Sequence, residues 1–176
     1  MRLLTICLLL LCSPGKAAEI GLWELPNYYE YSAKLASSGQ PTREQFSSIA
    51  DAGVQHIINL APKSSPDAIL NERRMAEALG IGYSHIPVNW DNPAITDLEE
   101  FMSVAAANED KVILVHCWLN LRASAFVYLS RILGGDFDEE KEFAVLQEIW
   151  STHPGYEIEN VPHWRRFLSR ALSEYR

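Results

Sequence analysis

A cysteine and an arginine separated by four residues, in the run Val115-His116-Cys117-Trp118-Leu119-Asn120-Leu121-Arg122-Ala123-Ser124, are the side chains of this sequence best placed to do chemistry. Cys117 closes an apolar stretch and precedes a segment of helical composition. A thiol there faces unpaired backbone N–H groups and the positive end of a helix dipole, which favour the thiolate and bind a neighbouring oxyanion. Arg122 adds a permanent charge and a planar fork that matches two oxygens of a phosphoryl-like group. Asn120 stands in mid-loop, where positive φ is needed and asparagine tolerates it. Backbone amides of Trp118, Leu119, Asn120 and Leu121, closed by Arg122, form an oxyanion cradle.

The elements needed to hold that loop are written around it. Short β-branched runs alternate with amphipathic segments, as when helices cover a largely parallel sheet. The sequence predicts an α/β single domain, with a central mostly parallel sheet of about four to five strands flanked by helices. A helix opens at Pro41-Thr42-Arg43-Glu44-Gln45, with Thr42 as N-cap, and closes at Gly53. Residues 54–60 form a strand. A second helix starts at Ser65-Pro66, carries Ile69, Met75 and Leu79, and stops at Gly80. Strand 83–88 follows, then a capping box at Thr96-Asp97-Leu98-Glu99 that begins a helix to residue 107. Strand 111–115 leads into the Cys117 loop, and helix 123–133 ends at Gly134-Gly135. Two further helices span 138–150 and 162–175.

The first residues decide where the thiol works. Arg2, an apolar run from Leu3 to Leu11 and small residues at Ala17 and Ala18 read as a secretory signal peptide, residues 1–18, cleaved near Ala17 or Ala18. The mature domain is then 19–176, and the expected location is secreted or periplasmic. Cleavage removes Cys7 and Cys12, leaving Cys117 alone and excluding an intramolecular disulfide. A lone thiol in an oxidising compartment is exposed to oxidation, so its retention implies a use. Composition is that of one globular domain, 48% hydrophobic and 22% charged. The net charge of −8 becomes −10 without Arg2 and Lys16, which argues against nucleic-acid and anionic-membrane partners but permits a local site for a small anion. No stable membrane insertion is expected after cleavage.

The His-Cys strand end and the arginine that closes the loop resemble the signature of the cysteine-dependent protein tyrosine and dual-specificity phosphatases. The resemblance extends to Ser38-Gly39-Gln40-Pro41-Thr42, Ile58-Asn59-Leu60 and Ile86-Pro87-Val88-Asn89-Trp90-Asp91-Asn92-Pro93, as in compact bacterial members with a short loop. It implies a phosphorylated substrate, whether phosphoprotein or small phosphomonoester, with no cofactor and no metal. Cys117 would attack phosphorus, Arg122 would bind equatorial oxygens, and the amides of 118–122 would hold the remaining charge. Asp91 matches the family's general acid, Ser124 would ease departure of the thiolate, and His116 would orient the loop.

Two features depart from that pattern. The usual phosphatase loop has five residues between cysteine and arginine, here four, and Ala123 intervenes before Ser124. Four is the spacing of rhodanese-like sulfurtransferases, which would carry a persulfide on Cys117. A third reading is a catalytically inactive phosphate-binding module, with Trp118 and Leu121 occluding the cradle. Elsewhere, Tyr28, Tyr29 and Tyr31 read as packing of the N-terminal arm. Trp150, Trp164, His153 and His163 belong with the C-terminal helices and show no metal-ligand spacing. Lys63 lies at the sheet edge where ligands gather but reads as a solvated lysine.

Overall fold

The computed structural model describes residues 21–135 and 137–175, so the signal peptide expected at 1–18 lies outside the described residues. Five strands form one sheet: β1 (Tyr29–Ser32), β2 (Leu35–Ser38), β3 (His56–Asn59), β4 (Gly82–His85) and β5 (Ile113–His116), in the order β1-β2-β5-β3-β4. Only β1 runs antiparallel, paired with β2; the other pairings are parallel. The α/β single domain with a mostly parallel sheet is therefore as the sequence reads, and β1–β2 is the hairpin that it did not place.

Alternation along the strands separates two apolar layers. Ile58, Ile113 and Val115 face a core shared with α3 (Ile95–Ala106), α4 (Leu121–Gly134), α5 (Glu139–Ser151) and α6 (Pro162–Glu174). Ile57, Leu114 and Ala36 face the other layer, against Phe46 and Ile49 of α1 (Gln45–Asp51) and Ala76 of α2 (Glu72–Ala78). β5, buried on both faces, is the central strand. None of the described helices is long and apolar enough to cross a membrane.

Several boundaries differ from the sequence reading, among them that of the strand expected over 83–88, which spans Gly82–His85. Helix α2 begins at Glu72, not at Ser65-Pro66, because Asp67 takes φ 60° and 62–71 is folded into turns instead. Helix α3 has its N-cap at Ala94, two residues before the expected Thr96: Asp97 Oδ2 accepts from the backbone N–H of Ala94 at 3.3 Å, so Asp97 caps from inside while Thr96 does not. Helix α4 starts at Leu121, directly on the loop. The cap expected for α1 is half realised, with Gln45 Oε1 accepting from Thr42 N at 2.9 Å. Tyr29 packs on Tyr31, ring centroids 4.9 Å apart, and Trp150 and Trp164 are buried in the main core.

Candidate active site

In the parallel register His116 lies between Ser38 of β2 and Asn59 of β3, so Cys117 leaves the sheet at its C-terminal edge, where ligands collect in open α/β sheets. Cys117 is the one cysteine among the described residues, and its N–H donates to Ser38 O at 3.3 Å. The next residues are pinned from outside. Gln40 N donates to Trp118 O at 2.9 Å, and Asn27 Nδ2 donates to Leu119 O at 3.0 Å. A trans peptide points its N–H opposite its C=O, so the Leu119 amide is turned away from the chain beyond β2. Gly39 makes this approach possible: a Cβ there would stand 2.7 Å from Trp118 O and 3.0 Å from Pro26 Cβ.

Asn120 takes φ 68°, the left-handed conformation that the sequence reading required, and reverses the chain into α4. It is fully buried, and its Nδ2 donates to Asn27 O at 2.6 Å. Its side chain does not cap α4, so the first-turn amides of that helix keep their donors. Asn120→Ala retains the strained φ without the hydrogen bond and should cost about 2 kcal/mol, read from the urea midpoint, whereas Asn120→Gly should cost less.

A cleft of about 500 Å³ opens here, lined by Cys117, Trp118, Leu119, Leu121, Arg122 and Asp91. Arg122 is 8% exposed, and its buried Nε has no hydrogen-bond partner. An unpaired guanidinium N–H is costly unless a ligand completes it. The guanidinium carbon lies 5.4 Å from the Trp90 ring centroid, and Trp90 in turn packs against Trp150 and Trp164. Trp164 Nε1 donates to Trp90 O at 3.0 Å, so α6 fixes the residue preceding Asp91. Asp91 itself is exposed, with its N–H donating to Asn89 Oδ1 at 2.9 Å and its carboxylate unpaired among the described residues. Ser124 is buried beneath the loop. Its hydroxyl donates to Leu121 O at 3.1 Å and accepts from Trp150 Nε1 at 3.2 Å.

Behind the cysteine stands a residue that the sequence reading missed. Glu72, buried at 3% exposure, accepts at Oε1 from His116 Nε2 (2.8 Å), Asn59 Nδ2 (3.0 Å) and Tyr83 OH (2.8 Å), and at Oε2 from Gln40 Nε2 (2.7 Å). Burial pushes its carboxyl up, but the His116 imidazole and the hydrogen bonds from His116, Tyr83 and Gln40 outweigh burial and hold it at about 2. An ionised carboxylate only accepts, which assigns the His116 Nε2 proton to this bond and leaves the buried Nδ1 without a partner. Among the described residues, no group of three or more His, Cys, Asp or Glu is arranged to hold a metal.

A solved DUF442 protein from Shewanella putrefaciens CN-32, described as a candidate phosphatase, shares 33% identity with this chain. It superposes with a TM-score of 0.75 over 88% of this chain and 94% of that one. The chain belongs to the DUF442 family of phosphatase-like proteins. Its fold is also that of TpbA from P. aeruginosa, solved in complex with phosphotyrosine, with TM-score 0.62 at 16% identity, covering 81% of this chain and 82% of TpbA. A curated relative of this DUF442 chain, the beta-lactamase hydrolase-like protein of Xylella fastidiosa (strain Temecula1 / ATCC 700964), is 33% identical over 109 residues, 60% of this chain. The match spans 25% of that relative's length. No family model matches the chain.

Proposed function

We propose that this DUF442 chain is an exported, cysteine-dependent phosphomonoesterase working through a phosphocysteine intermediate. The carrying observation is Arg122, whose buried, unpartnered Nε belongs to the side chain that lines the same cleft as Cys117. The Cys117 thiolate attacks phosphorus as the bond to the leaving oxygen breaks, and the Arg122 guanidinium and first-turn amides hold the equatorial oxygens. Asp91 gives its proton to the leaving oxygen, then takes one from the water that cleaves the S–P bond, releasing phosphate and restoring the thiolate. Removal of residues 1–18 would leave 19–176 as the secreted or periplasmic domain.

Asp91→Asn should lower kcat for para-nitrophenyl phosphate by about 10²- to 10⁴-fold and remove the high-pH limb of the rate profile. An unchanged profile would reject Asp91 as the acid.

The four-residue interval between Cys117 and Arg122 supports a second reading, sulfur transfer. There the thiolate would attack the outer sulfur of thiosulfate, expel sulfite and pass the persulfide sulfur to cyanide as thiocyanate. Purified mature protein and Cys117→Ser, assayed on para-nitrophenyl phosphate and on thiosulfate with cyanide, separate the two readings. Cysteine-dependent thiocyanate without phosphate release would replace the first by the second.

A further inference from the structure

Across Pro62, which also lines the catalytic cleft, lies a second cleft of about 610 Å³. Its walls come from the C-terminal ends of β3 and β4 and from α2, the sheet edge at which ligands bind in open α/β folds. Lys63, Arg73, Arg74 and His85 line it, in a protein whose net charge is −8.

Two of these side chains are set in place by the backbone. Arg73 Nη1 donates to Tyr83 O at 2.8 Å, with its guanidinium carbon 5.1 Å from the Tyr83 ring centroid, and His85 Nε2 lies 2.8 Å from Ala61 O. The other two, Lys63 and Arg74, are exposed and have no hydrogen-bond or ion-pair partner among the described residues. Of the nearby carboxylates, Glu72 is already satisfied by four donors. Glu77 meets Arg73 only at 3.7 Å, with both side chains half exposed, and such a contact is weak. With the Glu72 charge taken up by its own donors, the permanent cations Lys63, Arg73 and Arg74 concentrate a positive field on whatever enters the cleft.

We propose that this second cleft binds a second anionic group of the substrate, so that the preferred substrates are small molecules carrying two phosphoryl groups. Pro62 divides the two subsites. The first phosphoryl group is placed by the phosphatase reading, on which this inference rests. Lys63 and Arg74 supply the charge that is still free, while Arg73 and His85 shape the cleft.

The test is titration of the ¹⁵N-labelled full chain with inorganic phosphate at low ionic strength, where such contacts are least screened. Two sets of amide shifts are expected, one over 117–123 and one at Ala61, Lys63 and 71–74. The double reversal Lys63→Glu with Arg74→Glu should abolish the second set and keep the first. It should also lower kcat/KM for fructose 1,6-bisphosphate relative to para-nitrophenyl phosphate by roughly tenfold. Lys63→Arg with Arg74→Lys should preserve both sets. A missing second set, or one that survives the reversal, overturns the subsite. Loss of the first set alone, with the second intact, overturns the phosphatase reading and supports the cleft as an anion site.

Discussion

Arg122→Lys should lower kcat/KM for para-nitrophenyl phosphate by about 10³-fold, although it preserves the charge. An arginine that stabilises a transferring phosphoryl group contributes through geometry as well as charge. Its planar fork presents two N–H donors to two equatorial oxygens, whereas an ammonium is a point charge on a flexible stem. The site is built for the fork: Arg122 is held against Trp90, with its buried Nε unpaired. Lysine places an apolar methylene where that Nε stands, offers no donor there, and would leave the aromatic face without its planar partner. The loss should fall mainly on kcat, because the phosphoryl charge spreads over the equatorial oxygens in the transition state. Arg122→Lys with kcat within tenfold of the parent would show that Arg122 contributes charge alone.

Glu72→Gln should destabilise the protein by about 3–5 kcal/mol, read as a fall in the urea midpoint. The carboxylate accepts from four donors that originate on four strands or strand ends. An amide replaces one of its oxygens by a donor, leaving either Gln40 or the His116, Asn59 and Tyr83 set facing an N–H. The acid response provides an independent measure. Because the Glu72 carboxyl lies at about 2 in the fold, below its ordinary 4.5, its stabilising contribution is complete above about pH 4.5. It is lost as pH falls through about 2. That interval corresponds to roughly 3 kcal/mol. In Glu72→Gln this part of the acid slope should vanish; a midpoint and acid slope equal to those of the parent would show that the buried charge does not hold the strand ends together.

The Cys117 region was legible because its signals are local. An apolar run predicts β5, asparagine predicts the left-handed turn, and arginine predicts the charge at the cleft. Helix α2 was misread because Ile69, Met75 and Leu79 fall at helical spacing, while Asp67 at φ 60° breaks the chain before Glu72. Leu79 is in fact 43% exposed, so part of that pattern was not a core stripe. Glu72 itself was invisible, since its partners lie 11 to 44 positions away and meet only when four strands are aligned. Asp91 and Arg122 were both given roles from the sequence, whereas Trp90, whose aromatic contacts link their neighbourhoods, entered only as part of the 86–93 run.

That indole gives the C-terminal helices a part in holding the cleft as well as in packing. Trp150 on α5 and Trp164 on α6 support the ring that backs Arg122, and Trp164 grips the backbone one residue before Asp91. Three stretches of chain, 90–91, 122 and 150–164, therefore form one mechanically linked unit. Trp164 lies outside the cleft lining, yet its indole holds the backbone from which Asp91 projects, so α6 anchors the segment that carries the candidate acid.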